Sequence, residues 1–281
     1  MNILEQRGYQ SFVKLDSGGQ ANVYKTIKNG QLYAMKVVRV ECPNSPNLDD
    51  DLKRELQIVR NLKHPNCIHV EEMFRTKNKI YIIMDYMPNG TIGTISRNSG
   101  PLCEWNVKLW FCPVARAIKY LHDNHIAHRD LKLDNILLDQ FLNPILSDFG
   151  FSRFVAYNEN GQVQYSNTYC GTVSFNAPEI LNRTIYDPYK ADIWSCGVML
   201  FIMINQFYPF DRRNRSLMYK NQMSRNYHLQ EHIDKRTSDE LKDLINTLLE
   251  PNPSLRPNID DVCNHVWFPI IMNEKQFTQL Q

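Results

Sequence analysis

No CxxC pair and no regular cysteine spacing occur in this 281-residue chain, whose seven cysteines stand at 42, 67, 103, 112, 170, 196 and 263. An odd number cannot all pair within one chain, and free, mostly packed thiols in a reducing compartment are expected in place of a disulfide framework. Strong charge of one sign is also missing. A formal net charge of +2 gives no general attraction to nucleic acid. Long apolar runs are absent too: Val198 to Ile204, within IWSCGVMLFIMI, falls well short of a membrane span and reads as a buried helix. No basic start followed by an apolar stretch marks a secretory signal, so the NRT at Asn182 is expected to stay unglycosylated. A cytoplasmic location follows as the default, with nuclear presence left open. Internal repeats and low-complexity tracts are lacking as well.

What remains is a composition suited to a large core, 43% hydrophobic, in one large domain or two lobes. Short apolar runs near Phe12 to Leu15, Ala21 to Ile27 and Gln31 to Val40 are separated by glycine-containing turns and predict three antiparallel strands. Pro43 and Pro46 interrupt any continuation of the third. Leu52, Leu56, Val59 and Leu62 then recur at helical spacing, and KIYIIMDYM returns to strand character before Pro88, Asn89 and Gly90 end it. Two further strands would complete a five-stranded sheet with one major helix. Beyond about residue 92 the period becomes helical. WNVKLWFCPVARAIKYLHDN, Asp192 to Ile204 and Asp239 to Leu249 predict three helices, with Pro113 a local irregularity in the first.

The chemistry concentrates in HRDLKLDN, His128 to Asn135, followed by DFG at Asp148 to Gly150. Asp130 can orient a hydroxyl and take its proton, Lys132 can neutralise charge on a transferred phosphoryl group, and Asn135 and Asp148 can supply oxygens to magnesium. Singly, each has a plainer reading: an Asp capping a turn, a surface lysine, accidental Asp/Asn spacing. Lys36, ending AMK on a predicted strand, can hold nucleotide phosphates, and Glu55 on the following helix can hold Lys36. In LDSGGQANV, Leu15 to Val23, Gly18 and Gly19 permit a phosphate-covering hairpin, but Asp16 and Ala21 stand where the usual GxGxxG loop has glycine. An ordinary hairpin is the alternative there.

The ordered set VYK (Val23 to Lys25), AMK (Ala34 to Lys36), Glu55, HRDLKLDN, DFG, CGT (Cys170 to Thr172), APE (Ala177 to Glu179), DIWSCG (Asp192 to Gly197) and Arg256 resembles the catalytic domain of eukaryotic serine/threonine protein kinases. The likeness covers about Phe12 to Phe268. It implies a bilobal α+β fold, with a five-stranded antiparallel N-lobe sheet plus one major helix and a mostly helical C-lobe. The expected division is an extension at 1–11, a kinase domain at 12–268 (N-lobe and hinge 12–87, C-lobe 88–268) and a tail at 269–281. The implied cofactors are ATP and Mg2+, with Mn2+ as its substitute. The implied reaction is phosphorylation of Ser/Thr hydroxyls of protein substrates.

Carried over from the resemblance, Leu15, Val23, Ala34 and Leu137 enclose adenine, Met84 guards its back pocket, and Asp85 to Met87 form the hinge. Val59, Val70, His128 and Phe149 match an apolar spine, Glu179 resembles the partner of Arg256, and Asp192 a support for the HRD backbone. Thr172 with Lys132 resembles the acceptor-site pair of serine/threonine enzymes. Thr168 matches an activation-site threonine whose phosphate would meet Arg129 and Arg153, implying an upstream activating kinase or self-modification. SDFGFSR, TYCGT and DIWSCGVMLFIMINQFYPFD look most similar to the testis-specific serine kinases of the calcium/calmodulin-dependent kinase group. Asp134 resembles a residue that reads basic side chains before the acceptor, whereas Thr91 stands where basophilic relatives present an acid. Asp16 and Ala21 keep a second function open: a nucleotide-binding pseudokinase acting as scaffold or allosteric partner.

Overall fold

The computed structural model describes residues 3–17, 21–39 and 57–268. A short helix, α1 (Ile3–Gln6), leads into β1 (Gln10–Ser17), β2 (Ala21–Lys28) and β3 (Gln31–Arg39); residues 57–61 are helical (α2), and β4 (Val70–Arg75) and β5 (Lys79–Asp85) follow. All five strands pair antiparallel in the order β1-β2-β3-β5-β4. This is the expected N-lobe sheet. Of the expected helix over 52–62, Leu52 and Leu56 lie outside the described residues, whereas Val59 is buried and Leu62 partly so.

Period-two alternation sorts the sheet into two faces. Tyr33, Met35 and Val37 on β3 join Tyr81 and Ile83 on β5 in a cluster completed by Leu4 and Tyr9. The first residues thus close the outer face of the N-lobe. On the opposite face Ala34 lies across from Met84 and Lys36 from Ile82, and Val70 of β4 also pairs with Met84. That face looks toward the second lobe: Met84, Met87, Val70 and Leu137 all pack against the main core cluster.

The C-lobe contains α3 (Ile92–Ser99), α4 (Glu104–Asp123), the short strands β6 (Ile126–Ala127), β7 (Ile136–Leu138), β8 (Pro144–Leu146) and β9 (Arg153–Phe154), and helices α5 (Pro178–Leu181), α6 (Pro188–Asn205), α7 (Arg215–Met223), α8 (Glu231–Asp234), α9 (Asp239–Leu248) and α10 (Ile259–Cys263). The α4 helix continues through Pro113. The α6 helix starts four residues before the expected Asp192, because Asp187 caps the amides of Tyr189 and Lys190 and Pro188 suits the first turn. It is apolar nearly all round and buried, as a helix through the middle of a lobe must be. Among the described residues no helix is long and apolar enough to cross a membrane. The six described cysteines are free; burial pushes the Cys67 and Cys112 thiols up to about 12, so they act as small apolar side chains.

Glu104, the first residue of α4, ties three elements together. Its carboxylate accepts from the Ser238 amide (3.0 Å), the Ser238 hydroxyl (2.6 Å) and Trp267 Nε1 (2.8 Å), where Ser238 also caps α9. Burial alone would raise its carboxyl pKa, but the Ser238 and Trp267 hydrogen bonds outweigh that and hold it below 4.5. A depressed folded-state value means the stabilisation is present above the unfolded pKa and fades as pH falls through the folded one. Glu104→Ala is therefore expected to cost about 2–3 kcal/mol at pH 7, from charge-assisted hydrogen bonds lost to buried donors, with the deficit shrinking below pH about 4.5. Urea unfolding across that range checks it; a deficit that does not change with pH removes the carboxylate from the explanation.

Candidate active site

The segment between β6 and β7 is held in an unusual backbone shape. Arg129 has φ +65°, a left-handed conformation that costs a non-glycine residue free energy unless its surroundings hold it. Asp192 of α6, 1% exposed, supplies the hold: Oδ2 accepts from the His128 amide (2.8 Å) and His122 Nε2 (3.0 Å), and Oδ1 from the Arg129 amide (2.8 Å). A buried helix thereby fixes the loop that carries the polar residues.

Asp130 sits next, 4% exposed. Its Oδ1 accepts from the Thr172 hydroxyl (2.7 Å) and amide (2.8 Å); its Oδ2 accepts from Lys132 Nζ (2.7 Å) and, more weakly, Asn135 Nδ2 (3.3 Å). Lys132 Nζ also donates to the Thr172 hydroxyl at 3.1 Å, closing a triangle of acid, ammonium and alcohol. Gly171 makes the approach possible. It has φ +87°, and a Cβ there would stand 2.5 Å from the Arg129 carbonyl oxygen. Asn135 Nδ2 spends its stronger bond on the Asp130 carbonyl (2.8 Å), which directs its amide nitrogen into the loop.

Lys36 and Asp148 meet across the lobes, with Nζ 2.9 Å from Oδ1. Register explains the lysine's position, since Val23 and Ile82 are its partners on β2 and β5 and the three share the face toward the C-lobe. Asp148, at φ +60°, points its carboxylate into the open cleft with 42% of the side chain exposed. Burial pushes its carboxyl up, but the Lys36 charge and hydrogen bond, with His128 and Lys132 behind them, leave it below the ordinary aspartate value. Glu55 and Gly18 lie outside the described residues. Val23, Met84 and Leu137 are half-buried and Ala34 buried on the same side; Asp85 and Met87 are half-buried too, but Asp85 pairs with Tyr33 and so its side chain lies on the opposite face of the sheet, while Leu15, at an irregularity of the β1–β2 register, is 45% exposed.

The Phe149 and His128 rings meet at a tilt, 5.1 Å between centres, both buried, and Phe149 shares its cluster with Val59 and Val70. The four expected spine residues thus connect through one core. Arg256 and Glu179 form a two-bond pair at 2.7 and 3.1 Å. Thr168 is exposed, with Arg153 Nη1 3.4 Å from its hydroxyl. Arg129 Nη1 is buried without a hydrogen-bond partner among the described residues.

Asn135 and Asp148 offer an amide oxygen and an ionised carboxylate, the hard donors Mg2+ prefers. Among the described residues no group of three or more His, Cys, Asp or Glu side chains is arranged to hold a metal. Two such donors would suit a metal that takes its other oxygens from nucleotide phosphates and water.

Comparison with known proteins decides the family. Residues 9–268 match the protein kinase domain. The chain belongs to that family. It is 38% identical over 257 residues to CBL-interacting serine/threonine-protein kinase 13 of Arabidopsis thaliana, covering 90% of this chain and 50% of the relative. With CBL-interacting serine/threonine-protein kinase 7 of the same plant it shares 34% over 272 residues, 96% of this chain and 62% of that protein. With testis-specific serine/threonine-protein kinase 1 of Mus musculus it shares 34% over 268 residues, 94% and 73%. The chain therefore spans about half the length of the first of these and under two thirds of the second. ATP and magnesium dependence is general to the kinase family. The expectation of greatest similarity to the testis-specific kinases is not met: a CBL-interacting kinase shares 38% with this chain and the testis-specific kinase 34%.

Several contributions were not legible as motifs. His122 as a third donor to Asp192, the positive φ at Gly171 and the Tyr186 hydroxyl on the Thr168 carbonyl (2.8 Å) come from distant segments. Nothing in the spacing of single residues announces them.

Proposed function

We propose that this chain is an ATP-dependent serine/threonine protein kinase whose working residues are Asp130, Lys132, Lys36, Glu55, Asn135 and Asp148. The observation that carries the reading is the triangle of Asp130, Lys132 and the Thr172 hydroxyl, a seat already shaped for an aliphatic alcohol. Asp130 orients the acceptor hydroxyl and accepts its proton as the oxygen–phosphorus bond forms and the bond from the γ-phosphorus to the β–γ bridging oxygen breaks, with ADP leaving. Lys132 holds the carboxylate in place and meets charge on the transferred group; Lys36 steadies the nucleotide phosphates, and Glu55 would position Lys36. Asn135 and Asp148 would hold the metal, Mg2+ or Mn2+ in its place, whose charge offsets that of the phosphate oxygens when MgATP is bound. Leu15, Val23, Ala34, Met84, Asp85, Met87 and Leu137, with Gly18 over the phosphates, would form the nucleotide pocket.

The division into an extension at 1–11, lobes at 12–87 and 88–268 and a tail at 269–281 belongs to the same proposal, as does a cytoplasmic location. The subgroup reading is a calcium/calmodulin-dependent-group kinase near both the testis-specific and the CBL-interacting kinases.

Thr168 is the proposed control point. Arg153 beside its hydroxyl and the buried, unpartnered Arg129 Nη1 favour a phosphate there, which would supply acceptors to both guanidinium groups. Phosphate transfer from MgATP to a Ser/Thr peptide library tests activity and control together. Protein phosphorylated at Thr168 is expected to exceed Thr168→Ala by about 5- to 150-fold. Equal rates remove the switch; MgATP binding with no transfer by either form puts the pseudokinase scaffold, motivated by Asp16 and Ala21, ahead.

A further inference from the structure

A carboxylate beside the acceptor seat is already engaged by the chain's own arginine. Asp134 directly precedes Asn135 and is four residues from Asp130, so their backbones lie at most about 14 Å apart. Its side chain faces solvent, 45% exposed, and Oδ1 accepts from Arg97 Nη1 at 2.8 Å. Arg97 lies in the last turn of α3, and its Nη2 is 3.4 Å from the Thr94 hydroxyl, itself 3.0 Å from that of Thr91. The contact depends on a glycine: a Cβ on Gly93 would stand 2.7 Å from Asp134 Oδ1, so only a bare backbone lets α3 lie this close to the carboxylate. No acidic side chain occupies the first turn of α3 to replace the charge that Arg97 cancels.

An extended segment presenting a hydroxyl to Asp130 advances about 3.3 Å per residue, so Asp134 falls within the span of side chains up to about four residues from the acceptor. A basic side chain there meets a neutralised carboxylate and a guanidinium of its own sign. The arrangement disfavours it, as a like charge does in any site that rejects a class of partner.

We propose that Arg97 sets substrate specificity by pairing with Asp134, so that this kinase selects protein segments with uncharged or acidic residues, not basic ones, at that distance from the acceptor. This rests on the kinase reading above. Arg97 acts through Asp134 and is a positioning residue. The test is fluorescence-anisotropy binding of serine peptides with Arg or Ala at each position within four residues of the acceptor, using the full chain and its Arg97→Ala, Arg97→Lys and Arg97→Ala/Asp134→Ala forms.

The unaltered chain is expected to bind Arg peptides no better than Ala peptides. Arg97→Ala should favour Arg over Ala by about 1.5- to fivefold at one position, the range an exposed ion pair allows. Arg97→Lys should restore the original ratio, and adding Asp134→Ala should abolish the gain. An unchanged ratio in Arg97→Ala, a gain that persists without Asp134, an Arg preference in the unaltered chain, or no peptide binding by any form each overturns the proposal. Because the readout is affinity, absent phosphate transfer alongside the expected ratio shift would sink catalysis and leave the specificity device standing.

Discussion

Asp130→Asn is expected to lower single-turnover phosphoryl transfer by about 10²- to 10⁴-fold, the range for loss of a positioned general base, while MgATP affinity stays close to that of the unaltered chain. The asymmetry follows from what surrounds the carboxylate. Every group around it is a donor: the Thr172 amide and hydroxyl on Oδ1, Lys132 and Asn135 on Oδ2. Asparagine keeps one oxygen, enough for the Thr172 side, but its amide nitrogen must then face the Lys132 ammonium, two donors with no acceptor between them. Lys132 loses its anchor and the acceptor hydroxyl loses its proton sink, whereas Lys36 and Asp148 keep their 2.9 Å contact across the cleft. Rapid-quench transfer at saturating MgATP, beside calorimetric nucleotide binding, separates the two effects. Unchanged turnover in a folded variant would take the role from Asp130; lost MgATP binding would mean the loop itself had collapsed.

How far such a site is legible in a sequence depends on whether each contact is local. Asp130, Lys132 and Asn135 share one eight-residue stretch, so their convergence follows from the motif. The strands were readable for the same reason: alternation in QLYAMKVVR puts Lys36 on the face opposite Met35, and cross-strand pairing then carries it to the cleft. Contacts between remote segments were not readable unless a family likeness supplied them. Glu179 with Arg256 and Asp192 with the loop backbone came that way; Arg97 with Asp134 and Glu104 with Ser238 and Trp267 did not. The α3 helix escaped because TIGTISRNS carries threonine, glycine and serine in place of a helical apolar stripe. It forms through the Thr91 cap, which accepts from the Thr94 amide, and through Ile92 buried at 1%. Here tertiary packing outweighs intrinsic propensity.

Arg256→Ala is expected to destabilise the chain by about 3–5 kcal/mol, the cost of leaving a buried charge without its partner. Arg256 is 1% exposed, and its five N–H donors all find acceptors: Nε the Glu250 carbonyl, Nη1 Glu179 and the Lys190 carbonyl, Nη2 Glu179 and the Pro251 carbonyl. The guanidinium also lies 5.1 Å from the centre of the Trp194 ring. Removing it strands the Glu179 carboxylate, whose side chain is 7% exposed, and frees α5 from the loop before α10. Arg256→Lys should lose much of the same stability, because an ammonium cannot make both parallel bonds to Glu179 or fill the fork. The pair does not have to stabilise the fold relative to an apolar core, so Glu179→Gln in the Arg256→Ala background should recover part of the loss by removing the stranded charge. Urea midpoints for the three variants decide this. A single-substitution cost under about 1 kcal/mol, typical of an exposed pair, would show the bridge to be dispensable. Costs that add with no recovery would assign the effect to lost carbonyl contacts. The result bears on function because α5 closes the segment that carries Thr168 and Thr172: if that end comes loose, the Thr172 hydroxyl no longer has a fixed place over Asp130.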